Sequence, residues 1–153
     1  MPAEPLIFVE IALMRDVPKA IDHVLTEKRE VIDAQEAKVA VFYSISNCQE
    51  GLLGISFGNL LIKQVVAELR QELPELEKFV TLSPIPSLNK WLESIDHISS
   101  KRVLDGKVEA EDIQIIASQY LVEAKDSKGR PIDPVARFHL GNGAEVYLSL
   151  IHI

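Results

Sequence analysis

Lys38-Val39-Ala40-Val41-Phe42-Tyr43-Ser44-Ile45-Ser46-Asn47, then Gly51-Leu52-Leu53-Gly54-Ile55-Ser56-Phe57-Gly58-Asn59, then Leu60-Leu61-Ile62-Lys63-Gln64-Val65-Val66 is the stretch on which the fold turns. The first block gathers β-branched and aromatic residues and reads as the strongest strand of the chain. Residues 49–58 read as a glycine-bearing loop. Over residues 58–73, Ile62, Val65, Val66, Leu69 and Leu73 recur at helical spacing while Lys63, Gln64, Arg70 and Gln71 fall on the other side, so an amphipathic helix is expected up to Pro74.

Working outward, residues 6–13 read as a buried strand, and 18–25 as a short helix with Pro18 in its first turn. Residues 79–83 read as a second central strand cut off by Pro84 and Pro86. A helix over 87–96 would use Ser87 as its cap and bury Leu88, Trp91, Leu92 and Ile95. Residues 99–106 read as a loop, 110–124 as a helix on Ile113, Ile116, Tyr120 and Leu121, and 125–131 as a charged turn with Gly129. Asp133-Pro134 reads as a cap and N1 proline opening a short helix through Leu140, closed by Gly141-Asn142-Gly143, with a last strand over 144–151. The sum is one domain over 1–153, an α/β (α+β layered) fold with a central sheet.

Bulk properties narrow the partners. With 47% hydrophobic and 25% charged residues the composition is that of a globular protein, not a disordered chain. A formal charge of -7 disfavours a nucleic-acid backbone, whose affinity comes from Lys and Arg displacing counterions. The apolar runs are too short to cross a bilayer, so no membrane partner is expected. One cysteine, Cys48, allows no intrachain disulfide and fits a reducing interior. No flanking Lys, Arg or His activates it, and His23 and His97 lack metal-ligand spacing, so neither metal nor redox cofactor is implied.

Glycines after a strand and before a helix let backbone approach a ligand, and the free N–H groups of the helix start can cradle a diphosphate. Gly54, Ile55, Ser56, Phe57, Gly58 and Asn59 are the candidate cradle. The stretch is neither a Walker loop nor a full Gly-x-Gly-x-x-Gly fingerprint, and an ordinary packing loop fits the same glycines. On the residues alone, Ser83 before proline reads first as a turn former, His139 beside Phe138 as a capping or packing residue, and Asn142 beside Gly143 as a left-handed turn residue.

Gly54, Gly58 and Leu60-Leu61-Ile62 resemble the pyrophosphate-binding motif of GCN5-related acetyltransferases, with Leu53 where that motif has Arg or Gln. Three further segments, Val41-Phe42-Tyr43-Ser44-Ile45-Ser46, Thr81-Leu82-Ser83-Pro84-Ile85-Pro86 with Trp91-Leu92, and Asp133-Pro134-Val135-Ala136-Arg137-Phe138-His139-Leu140-Gly141-Asn142-Gly143-Ala144, are similar in that order to the malonyl-CoA decarboxylase catalytic domain. Glu4-Pro5-Leu6-Ile7-Phe8-Val9-Glu10 resembles it too, so the likeness runs over about residues 2–144.

The resemblance implies a GCN5-related acetyltransferase-like mixed sheet flanked by helices and conversion of malonyl-CoA to acetyl-CoA and carbon dioxide. It puts the family's active-site Ser on Ser83 and its His on His139. Ser83 would bind the malonyl carboxylate and hold His139, His139 would protonate the enolate, Ser44, Ile45 and Ser46 would line pantetheine, and Asn142 would touch the acyl group. Ser56 stands where some members have a supporting Glu.

The family's N-terminal helical region, which builds a homo-oligomer, and its C-terminal Tyr have no counterpart here, so a truncated domain is expected, with 148–153 a non-native tail. The expected compartment is the bacterial cytoplasm, or the mitochondrion, peroxisome or cytosol for a eukaryotic member. Two rival readings use the same residues: an acetyl-CoA-dependent N-acetyltransferase, and a noncatalytic acyl-CoA-binding remnant.

Overall fold

The structure, a computed structural model, describes residues 7–19, 21–27, 31–47, 57–95, 103, 105–106 and 110–146. The chain divides into two compact units, Met1–Ser83 and Pro84–Ile153.

The first unit is a mixed sheet of β1 (Ile7–Met14), β2 (Val39–Asn47) and β3 (Lys78–Thr81), with α1 (Asp22–Leu25), a 3-10 turn (Ala34–Glu36) and α2 (Phe57–Glu72). β2 lies in the middle, antiparallel to β1 and parallel to β3. Parallel strands need a crossover, and α2 is that crossover. Glu10 pairs with Ser44 but Ile11 with Phe42, so Tyr43 is one extra residue in β2. The bulge flips the alternation of β2, which puts Ile45 across from Val9 as Phe42 is from Ile11.

Both faces of this sheet are covered. On one, Ile62, Val65, Val66 and Leu69 of α2 pack on Val9, Ile11, Leu13, Ala40, Phe42 and Phe79. On the other, Ala12, Val39 and Val41 pack with Val24 of α1 and with Val17, Tyr43, Val80 and Leu82. Each such side chain contributes about 1.5–3 kcal/mol when fully buried.

Two expectations need correction here. The first helix spans only Asp22–Leu25, because Pro18 is buried and Val17 packs on the sheet face instead of starting a helical turn. Among the described residues β3 lies at the edge of the sheet, not at its centre, and it stops at Thr81, two residues short of Ser83. Its pairing with β2 ends at Phe42, where the bulge begins, and one further bond runs from the Leu82 N–H to the Phe42 carbonyl at 2.9 Å.

The second unit holds α3 (Leu88–Ser94), α4 (Ala110–Glu123) and α5 (Pro134–Gly141). Its core is Leu88, Leu92, Ile116, Ala117 and Tyr120, joined by Ile85, Trp91, Leu121 and Ala124. Trp91 lies tilted against Tyr120 with ring centroids 5.1 Å apart. Ser87 occupies the cap position of α3, but its side chain caps nothing and is hydrogen-bonded to Tyr120 instead.

Between α4 and α5, Lys125 bridges to Pro131, and the Asp126 carboxylate accepts from Lys128 N–H, Arg130 N–H and Arg130 Nε at 2.9–3.0 Å. Backbone and side-chain bonds from Arg130 hold that carboxyl down at about 2. Gly129 takes φ +74, where a side chain is strained. Asp133 caps α5 as expected, its Oδ1 accepting from the N–H groups of Val135 and Ala136 at 2.9 Å each. The expected last strand is absent over 144–146: the Ala144 N–H goes to the His139 carbonyl at 3.1 Å, and the rest of that segment lies outside the described residues.

Candidate functional site

Candidate residues occur in both units. In Met1–Ser83, the bulge divides β2 into two halves. Residues 39–42 are paired on both sides, while 44–47 are paired to β1 and, among the described residues, not to β3. Ser44, Ile45 and Ser46 lie in that second half, opposite Glu10, Val9 and Phe8. Ser44 is half-buried and Ile45 and Ser46 are exposed. A strand edge of this kind presents N–H and C=O groups at the spacing that an amide-bearing arm can pair with.

Phe57, Gly58 and Asn59 sit in the first turn of α2, which starts at Phe57, inside the expected loop. The leading N–H groups of a helix have no partner within it, and the dipole there favours an anion. Gly54, Ile55 and Ser56, with Leu53, lie outside the described residues. Ser83 is exposed and follows Leu82 directly after the β2–β3 pairing.

In Pro84–Ile153, His139 lies near the end of α5, half-buried, with its ring edge-on to Phe138 at 5.1 Å and 77°. Burial pushes its imidazole below the ordinary value of 6.5. Asn142 caps the helix C-terminus, its N–H donating to the His139 and Leu140 carbonyls. Its φ of -95° corrects the expectation of a left-handed residue; Gly143, at φ +85, takes that conformation because it has no Cβ. Asn142 Nδ2 is buried with no hydrogen-bond partner among the described residues. Such a donor costs about 1–3 kcal/mol unless something supplies an acceptor.

His23 is exposed on α1, whereas His97 and Cys48 lie outside the described residues. No group of three or more His, Cys, Asp or Glu that could hold a metal ion occurs among the described residues. Nor is any described helix long and apolar enough to cross a membrane.

The sequence marks Tyr120 as a core residue and Asp133 as a cap but does not show that they meet: the Tyr120 hydroxyl donates to Asp133 Oδ2 at 3.3 Å, with both residues almost fully buried. The available signal was a hydroxyl-bearing aromatic on the apolar stripe of a helix, which needs a polar partner when buried.

Comparison with known proteins gives a consistent result. The family model of the malonyl-CoA decarboxylase C-terminal domain matches residues 1–112 and 101–149. Mitochondrial malonyl-CoA decarboxylase of Anser anser anser is 35% identical, with 96% of this chain aligned to 37% of that protein. Crystal structures of malonyl-CoA decarboxylase from Rhodopseudomonas palustris and Agrobacterium vitis superpose with TM-scores of 0.77 and 0.80, each 48% identical and covering 91% of this chain. They match 37% and 39% of those chains, so the present chain spans under half the length of its relatives. The alignment with the goose protein runs over 187 positions, more than the 153 residues available, so that relative carries stretches with no counterpart here.

Proposed function

The chain belongs to the malonyl-CoA decarboxylase family, and from that premise we propose that it serves the decarboxylation of malonyl-CoA to acetyl-CoA and carbon dioxide. The match of the family model across 1–112 and 101–149 carries this reading. In the reaction the bond between the malonyl methylene and its carboxylate breaks, carbon dioxide leaves, and the electron pair passes into the thioester as an enolate. One proton then goes to the methylene carbon to complete acetyl-CoA.

Four requirements follow: grip on the CoA, orientation of the carboxylate, stabilisation of the oxyanion and delivery of the proton. The half of β2 carrying Ser44, Ile45 and Ser46 pairs with the pantetheine amides. Gly54, Ile55 and Ser56 and the α2 start at Phe57, Gly58 and Asn59 take the diphosphate. Ser83 donates to the malonyl carboxylate.

His139 supplies the proton. Burial keeps its imidazole neutral at rest, and an arriving carboxylate opposes that effect by favouring imidazolium, so the acid is charged when substrate is present. Asn142 Nδ2, buried and without an acceptor, donates to an oxygen of the acyl group. A cytoplasmic location and homo-oligomerisation through a further helical region complete the proposal.

Saturation binding of CoA and malonyl-CoA, followed by turnover with Ser83→Ala beside wild type, tests this reading. We expect malonyl-CoA to bind and be turned over, and Ser83→Ala to reduce kcat by about 100-fold or more while CoA affinity is kept. Acetyl transfer from acetyl-CoA to an amine, without malonyl-CoA turnover, would establish the acetyltransferase reading instead. Binding without either reaction would leave an acyl-CoA carrier.

A further inference from the structure

We propose that Tyr120 is a positioning residue for the acyl site: its hydroxyl, buried between Ser87 and Asp133, fixes the seat of α5 and with it the places of the His139 imidazole and the Asn142 amide. The inference rests on the reading of His139 as the proton donor and adds to it the device that holds the donor still.

No α5 side chain belongs to a described hydrophobic cluster, whereas Ile62, Val65, Val66 and Leu69 of α2 pack on the sheet. The position of α5 depends on directional contacts. On the exposed side are the Arg137 Nε bond to the Pro131 carbonyl at 3.0 Å and the ion pair of Arg137 with Asp126 at 3.9 Å. On the buried side is Asp133, which is 2% exposed and is the buried charged residue of the described core.

Both oxygens of that carboxylate are in use. Oδ1 takes two helix-start N–H groups at 2.9 Å each, and Oδ2 takes the Tyr120 hydroxyl at 3.3 Å. Tyr120 is itself 1% exposed and is hydrogen-bonded to the Ser87 side chain. Burial, and then the Asp133 charge, push the phenol above its ordinary value, so it stays protonated and remains a donor.

A buried carboxylate that loses one of three donors must turn toward water or shift its backbone. Either movement is transmitted along a rigid helix to His139, six residues on. Trp91 packs against the Tyr120 ring and Ser87 holds its oxygen, so the ring has little freedom to compensate.

The test compares Tyr120→Phe with Leu121→Ala, which opens a cavity in the same cluster without touching a hydrogen bond. In the full chain, NMR would follow the His139 imidazole and the Val135 and Ala136 amides, and malonyl-CoA assays would separate kcat from KM. Tyr120→Phe is expected to move all three sets of signals and to lower kcat by about tenfold at nearly constant KM, the scale of one lost buried hydrogen bond.

Leu121→Ala is expected to lower the Tm comparably while leaving the His139 signals and kcat in place. Should Tyr120→Phe fail to fold, Ser87→Ala, which removes only the bond into the Tyr120 hydroxyl, is expected to give the same displacement at smaller size. Unmoved His139 signals in the hydroxyl variants, or equal shifts in Leu121→Ala, would reduce Tyr120 to a packing residue. Absence of turnover in wild type would overturn the catalytic reading while the NMR comparison still decides the positioning claim.

Discussion

In Met1–Ser83, α2 meets the sheet through Ile62, Val65, Val66 and Leu69, whereas in Pro84–Ile153, α5 contributes no side chain to a described hydrophobic cluster and is tied down by Asp133, Tyr120 and Arg137. The first arrangement distributes its energy over many non-directional contacts, so any single side chain carries only a share. The second concentrates it in a few hydrogen bonds, those of Asp133 and Tyr120 being shielded from water, where geometry is fixed and one missing donor is felt at once. A helix that must hold a reacting group gains from the second kind of attachment, because hydrogen bonds set orientation as well as proximity.

Truncation separates the two most sharply. Phe42→Ala removes a side chain 2% exposed at the centre of β2, and should cost about 3–5 kcal/mol by denaturant unfolding followed by circular dichroism. Asp133→Ala deletes a far smaller volume, yet should cost about 2–4 kcal/mol, because two capped N–H groups and the Tyr120 hydroxyl lose their acceptor together. Trp91, the single tryptophan, lies against Tyr120 and reports that loss by fluorescence. If Asp133→Ala were as mild as an ordinary surface change, within about 0.5 kcal/mol, the contrast between the units would fail.

A smaller effect comes from acid. Burial holds His139 below its ordinary value of 6.5, so the unfolded chain takes up the proton more readily than the folded one. The stability associated with the neutral imidazole is therefore complete above that ordinary value and is lost as pH falls through the window beneath it. Trp91 fluorescence should show the loss, and His139→Gln should flatten that part of the profile. An unchanged slope in the variant would place the acid sensitivity elsewhere.

The same contrast explains what could be read in the sequence. Helical spacing of Ile62, Val65, Val66 and Leu69 and the density of β-branched residues around Val39 and Val41 give α2 and β2 almost to the residue, because apolar periodicity is a local record of burial. The cap at Asp133 and the proline after it were equally local and legible.

What escaped was tertiary. The bulge at Tyr43, which ends the pairing with β3 and leaves Ser83 beyond the strand, depends on two partners at once. The use of the Ser87 hydroxyl for Tyr120 in place of its own helix depends on a residue on another element. Family resemblance supplied Ser83 and His139 as candidates, which their neighbours alone would have left as a turn former and a packing residue.

The most direct test of the catalytic account is release of labelled carbon dioxide from carbon-13 malonyl-CoA, measured with wild type and His139→Ala at the same pH. The expected result is equal amounts of carbon dioxide and acetyl-CoA from wild type and at least about 100-fold slower release from the variant. Equal rates from the two proteins would contradict the role given to His139, and no release from wild type would contradict the proposed reaction itself.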